Sequence, residues 1–201
     1  MNGLDRLRTL DVEEASRAAA GALAERASAR GLVDVAYAEV DSPIGTLLVA
    51  ATRAGLVRLS YPEEPFEAVL VELAGSVSPR LLEAPRMTDP IRRELDDYFE
   101  GRVQRFRSRV DWRLTPPGFS RRVLEVTARI PFGSVSTYGH VAGRAGSPRA
   151  ARAAGNALHD NPVPIVVPCH RVVPSGGGIG KYGGNEWRKA FLLRLEGALA
   201  T

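Results

Sequence analysis

The chain has 201 residues, 44% of them hydrophobic and 25% charged, with a formal net charge of +4. These values suit one large or two small globular domains, each with its own core. A single cysteine excludes an internal disulfide and a cysteine-rich zinc site and fits a reducing, cytoplasmic setting. No apolar stretch approaches the ~20 residues that span a bilayer, so no membrane contact is expected. Asp5, Asp11, Glu13 and Glu14 interrupt any signal-peptide segment, so neither is export. His140, His159 and His170 have no HxxxH or HxH spacing, and no metal is expected. Of the 27 basic residues only Lys181 and Lys189 are lysines. An Arg- and Ala-rich composition often reflects coding bias, so the placement of the arginines matters more than their number.

Residues 11–30 read as an Ala-rich helix, with Asp11 as N-cap and Gly31 as its stop. Its apolar positions are mostly alanine and bury little, which makes residues 1–33 an extension. Three short strands follow at Val35–Val40, Thr46–Ala51 and Leu56–Tyr61, separated by the turns Asp41–Gly45 and Arg53–Gly55. This pattern predicts an antiparallel meander. Helices are expected at 65–74 and 90–100, the second with Asp89 as N-cap, Pro90 at its first position and Gly101 just past its end. Thr115-Pro-Pro-Gly118 divides a unit at 34–114 from one at 115–201. Beyond it the chain turns mostly helical, at Ser120–Arg129, Thr137–Arg144, Pro148–His159 and Asn185–Glu196, with the apolar run Val163–Val167 between.

The segment 137–159 has a helix-turn-helix pattern: a short helix, a turn at Ala145-Gly146, and a second helix with Ser147 as N-cap and Pro148 at its first position. Arg149 and Arg152, three apart, would share a face among small residues. Such a helix either fits a DNA groove with its arginines protruding or packs through its alanines and leaves them solvated.

Cys169 ends the Pro-punctuated run Asn161-Pro-Val-Pro-Ile-Val-Val-Pro-Cys-His170. A lone thiol there is either an inert buried residue or a nucleophile. Neighbours on a strand point to opposite faces, so His170 reaches the thiol only if Pro168 ends the strand and a turn follows. A base beside the thiol would activate it, and a carboxylate would orient the histidine; Glu186 and Glu196 are both candidates. The glycine-rich stretch Ser175–Gly184 lacks a Walker pattern, and reads as well as a lid with Tyr182 as its aromatic wall.

Pro168-Cys-His-Arg-Val172, preceded by Asn161-Pro-Val-Pro164, resembles the O6-alkylguanine-DNA alkyltransferase family. The resemblance runs through Ile130-Pro-Phe-Gly133, Ser136-Thr-Tyr138, Pro148–Ala153, Gly180–Gly184 and Leu195-Glu-Gly197, covering about residues 115–198. It implies an α+β fold. A small antiparallel-sheet, ribonuclease H-like domain would precede a mostly helical winged helix-turn-helix domain that carries the cysteine. The implied partner is double-stranded DNA containing O6-alkylguanine, with O4-alkylthymine a further candidate. The protein would be a monomer without a cofactor, itself the consumed reagent, although clustering on DNA stays open.

The same resemblance implies residue roles. Cys169 would accept the alkyl group, His170 would take the thiol proton through a water, Glu196 would orient His170, and Asn161 would hold the turn. Tyr182 would donate to the departing purine. Gly183 stands where many relatives carry a small hydroxyl residue. Arg152 would replace a flipped-out base, Tyr138 would press the adjacent phosphate, and Arg149 and Ser147 would contact DNA. A lesion sensor that binds alkylated bases without catalysis is the alternative, and a transcription regulator with an inert thiol is a third reading.

Overall fold

The computed structural model describes residues 3–199; Met1, Asn2, Ala200 and Thr201, the ends of the predicted extension and second unit, lie outside the described residues. The first helix, α1, spans Gly3–Ala29. It runs straight through Asp11, so Asp11 is an interior position rather than the N-cap. Gly31, with φ +68°, ends it: the amides of Gly31 and Leu32 close on the carbonyls of Ser28 and Ala27. Its buried contact is local, with Ala24 packing beside Val33, Ala36 and Ala84.

Strands β1 (Val35–Val40), β2 (Leu47–Thr52) and β3 (Gly55–Ser60) form the predicted antiparallel meander. The sequence reading stopped there, but a fourth strand, β4 (Leu81–Glu83), adds parallel to β1 and gives the order β3-β2-β1-β4. At three residues it is too short to carry a periodicity. Side chains alternate across the sheet. Leu47 and Val49 face a core shared with helix α3 (Pro85–Phe99), while Leu48 and Ala50 face helix α2 (Phe66–Ser76) through Val69 and Leu73. Covering both faces explains why β2 reads as one unbroken apolar run.

The α3 helix begins five residues earlier than expected. Pro85, not Pro90, holds its first position, and the Asp89 carboxylate pairs with Arg92 (2.9 Å) and Arg93 instead of capping. Pro90 lies inside the helix at its sixth position, where it cannot donate to the Arg86 carbonyl. Thr88, Ile91, Leu95 and Tyr98 form its buried stripe.

Asp111 caps a short 3-10 turn at Trp112–Leu114 and accepts from the Thr52 hydroxyl (2.5 Å). The preceding segment pairs with the edge strand: Leu56 N donates to Arg109 O and Asp111 N to Leu56 O, both at 2.8 Å. Gly55 permits this approach, because a Cβ there would lie 2.2 Å from Arg109 O.

The rest of the chain is mostly helical: α4 (Phe119–Thr127), α5 (Tyr138–Arg144), α6 (Ala151–His159) and α7 (Glu186–Leu195). Strands β5 (Ser136–Thr137) and β6 (Val172–Val173) pair in parallel beside them. Thr137 caps α5 by accepting from the His140 amide, and Arg122 covers its far end with a bond to Ala145 O (2.9 Å). Ser147 and Pro148 do not open α6. They lie in a turn closed by Ala150 N to Ser147 O, and the helix starts at Ala151. Arg149 therefore sits before the helix, and no helical face is shared with Arg152. The fold is α+β, with the small sheet unit first and the winged helix-turn-helix unit second. Among the described residues no helix is long and apolar enough to cross a membrane.

Candidate active site

The run Val163–Val167 is not a strand. It is a compact loop clamped by Asn161, whose Nδ2 donates to Val167 O (2.8 Å) and whose Oδ1 accepts from Val163 N (3.1 Å). Ile165 is held at φ +70°, a conformation costly for a β-branched residue and imposed by the surrounding bonds. From outside, the edge strand donates Leu59 N to Pro162 O at 2.8 Å. Pro168 then leads into a 3-10 turn at Cys169–Arg171, so the thiol and the imidazole leave the same turn.

Cys169 is 7% exposed and His170 wholly buried. His170 Nε2 lies 2.8 Å from Glu196 Oε1, at the end of α7, so Glu196 is the carboxylate beside the imidazole. Glu186 instead accepts from the Tyr182 amide. The Glu196 carboxylate also takes the Tyr98 hydroxyl (2.7 Å) and a two-pronged contact from Arg171 (2.8 and 2.9 Å). Burial alone would raise its pKa, but the bonds from His170 and Arg171 override it and hold the group at about 2. The other imidazole nitrogen, Nδ1, is buried and has no hydrogen-bond partner among the described residues. Burial lowers the His170 pKa, and the Glu196 contact only partly opposes this. Burial likewise pushes the Cys169 thiol up, against hydrogen bonds from Asn161 and Tyr182 and the nearby charge of Lys189. At rest the pair is therefore neutral thiol and neutral imidazole, backed by an ionised carboxylate.

Cys169 opens into a cavity of about 1250 Å³ whose wall includes Tyr138, Arg152, Asn161, Tyr182 and Gly183. Arg152 is exposed at the rim. Arg149 and Ser147 do not line this cavity. The Tyr182 hydroxyl sits 3.7 Å from Cys169 Sγ. Gly183 has φ +60° and open space beside it, so the loop presents backbone there.

Sequence reasoning assigned no part to Tyr61, Tyr98, Arg171 or Lys189. Lys189 Nζ donates to Val172 O (2.6 Å), and burial lowers its pKa to about 8. One of two lysines in an arginine-rich chain was a usable signal, since only lysine adapts its charge on burial. Tyr98 follows Ile91 and Leu95 on the apolar stripe of α3, where a polar-tipped ring needs a buried partner. Nothing in the sequence marked Tyr61.

Two family profiles match the chain: the 6-O-methylguanine DNA methyltransferase ribonuclease-like domain over residues 35–112, and the DNA binding domain of the same family over residues 118–198. A methylated-DNA–protein-cysteine methyltransferase of Methanosarcina acetivorans is 35% identical over 164 residues, covering 81% of this chain and 98% of the relative. One from Mycolicibacterium paratuberculosis is 37% identical, over 81% of this chain and 92% of the relative. The crystal structure of Mycobacterium tuberculosis O6-methylguanine methyltransferase superposes with a TM-score of 0.70 at 35% identity, covering 83% of this chain and 95% of that one. The chain belongs to the 6-O-methylguanine DNA methyltransferase family.

Proposed function

We propose that this protein repairs DNA by direct reversal, moving an alkyl group from O6-alkylguanine in a duplex to Cys169 in a single turnover. The observation that carries this reading is the buried His170–Glu196 pair, with His170 on the turn that carries Cys169, whose thiol opens into a cavity walled by Tyr138, Arg152 and Tyr182. A relative from Mycobacterium tuberculosis has been crystallised in complex with DNA, and superposes with a TM-score of 0.69 at 34% identity.

A thiol cannot reach the guanine O6 substituent inside a stacked duplex, so the nucleotide must be flipped out. Helix α6 enters the minor groove and Arg152 fills the space the base leaves. Tyr138, from the start of α5, presses the adjoining phosphate. The Cys169 proton passes through a water to His170 Nδ1, and Glu196 holds the resulting imidazolium. The thiolate then attacks the alkyl carbon, an S–C bond forms, and the C–O6 bond breaks with its electron pair moving onto the purine. Tyr182 donates to that developing negative charge, which is where a positioned donor counts most. The purine anion takes up one proton, the imidazolium of His170 gives one back through water, and guanine remains while the thioether on Cys169 ends the protein's activity. Residues 34–114 serve as scaffold, 115–201 bind DNA and accept the alkyl group, and 1–33 form an extension.

Intact-protein mass after mixing with an O6-methylguanine duplex tests this. One added methyl group (about 14 Da), absent in Cys169→Ala, is expected from covalent transfer to the thiol. Tight lesion binding without a mass change would favour the lesion sensor instead.

A further inference from the structure

Tyr61 stands at the end of β3, in the other half of the molecule from Cys169 in sequence, yet its hydroxyl lies 2.8 Å from that of Tyr182. We propose that Tyr61 is a positioning residue for alkyl transfer, donating its hydroxyl proton to Tyr182 so that Tyr182 points its own proton at the reacting centre. This rests on the function proposed above.

Proton counting favours one direction for the bond: once Cys169 is a thiolate only Tyr182 can donate across its contact with the sulfur, which leaves Tyr61 to donate to Tyr182. Each phenol has one proton to give. Among the described residues the Tyr61 hydroxyl has one protein partner, Tyr182, whereas the Tyr182 hydroxyl has two, Tyr61 and Cys169 Sγ at 3.7 Å. If Tyr182 donated to Tyr61, the proton of Tyr61 would have no protein acceptor and the sulfur no donor from this pair. If Tyr61 donates, both contacts are served in one direction: Tyr61 to Tyr182, and Tyr182 to the sulfur or to a purine above it. A donor that also accepts is polarised and donates more strongly.

Position matters as much as polarity. Tyr182 rides on a loop in which Gly177, Gly178, Gly180, Gly183 and Gly184 all have positive φ, and its backbone is tied only locally, by its amide to Glu186 and its carbonyl to the Asn185 amide. Tyr61 comes from the sheet instead. The Arg188 guanidinium lies 4.1 Å from the centre of its ring, and Arg188 is in turn tied to Glu63 at 2.7 Å. The neighbouring backbone is fastened to the active-site loop by Leu59 N to Pro162 O. The edge strand thus supplies a reference point from the sheet for a tyrosine on a glycine-rich loop. Burial also pushes the Tyr61 phenol up, which keeps it a donor at any working pH.

The test uses the full chain, Tyr61→Phe, Tyr182→Phe and the double variant, in single-turnover methyl transfer from an O6-methylguanine duplex followed by mass. Losing one neutral hydrogen bond predicts a saturating rate lower by about 3- to 10-fold in Tyr61→Phe, with the half-saturating DNA concentration unchanged. In the Tyr182→Phe background the same change should have no further effect. A second measurement needs no DNA: the pH midpoint for iodoacetamide alkylation of Cys169, the one thiol, should move up in Tyr61→Phe. Equal slowing in both backgrounds, or an unmoved midpoint, overturns the proposal. If the wild-type protein gains no methyl group, the repair function fails, and the thiol midpoint alone decides the role of Tyr61.

Discussion

Replacing Glu196 with glutamine removes one charge and little volume, and the surroundings allow its cost to be worked out. The carboxylate accepts from Tyr98, from His170 and twice from Arg171. A glutamine keeps one acceptor oxygen and puts an NH2 where donors already point. Arg171, 6% exposed, is left a buried cation without its counter-charge. Removing one partner of such a pair costs about 3–5 kcal/mol. At roughly 2–4 °C per kcal/mol for a chain of this size, the melting temperature should fall by about 6–20 °C. Total stability is of order 5–15 kcal/mol, so the variant should still fold in the cold. Calorimetric melts and urea titrations at 10 °C measure the loss. The acid limb gives a second signature. The carboxyl titrates at about 2 in the folded protein against 4.5 as its ordinary value. Its stabilisation is therefore present above pH 4.5 and lost as pH falls towards 2, and the variant should lack that part of the slope. A variant within 1 kcal/mol of the parent, with the same acid slope, would refute the ionised, fully satisfied carboxylate described above.

Three further outcomes are expected. The lowered His170 pKa keeps the imidazole neutral at and below its ordinary 6.5, so the single-turnover rate should stay level through neutrality and fall only at lower pH; a drop centred at or above 6.5 contradicts a buried base. Arg152→Ala should slow transfer from a duplex by ~10-fold or more, since the few kcal/mol of unstacking are then poorly offset, while reaction with a free O6-alkylguanine base is unchanged; equal losses on both would count against a flipping role. Gly55→Ala places a Cβ 2.2 Å from Arg109 O at a φ of +141°, and urea denaturation should register a loss of at least about 1–3 kcal/mol from backbone strain alone; a change below 0.5 kcal/mol would mean the edge pairing is not tight.

Where sequence reasoning succeeded, the signal was local. Gly31 and Gly101 stop helices because they take positive φ, and Asn161 with its prolines announces a loop whose side chain must hold the backbone. Where it failed, the deciding contact was distant. Asp89 looked like a cap, but Ala84 and Pro85 begin the helix where β4 ends. Ser147-Pro148 carried the same capping signature, yet Ser147 N bonds back to Ala142 O near the end of α5 and Ala150 N to Ser147 O, so a further turn precedes α6, and a propensity rule cannot see those bonds. The carboxylate behind His170 was ambiguous for the same reason. Glu186 and Glu196 lie at opposite ends of α7, and only the packing of that helix decides which end meets the imidazole.

Those distant contacts also account for the resting chemistry. A thiol raised by burial beside an imidazole lowered by burial carries no charge between them, and the thiolate is the form that oxidises as well as the form that attacks. If the one cysteine is consumed in a single turnover, as proposed, a standing thiolate would waste molecules before any lesion was met. The proposed transfer creates a thiolate–imidazolium pair between two largely buried groups, and charge separation there is steep unless fixed groups already oppose it. The opposing groups are in place beforehand: ionised Glu196 behind the imidazole, and Lys189 and the Tyr182 hydroxyl on the thiol side. Two of these depend on the sheet half of the chain, through Tyr98 to Glu196 and Tyr61 to Tyr182. Under the proposed function the small sheet domain is therefore more than a support for the helical one: Tyr98 holds the carboxylate behind His170, and Tyr61 sits against Tyr182 beside the thiol.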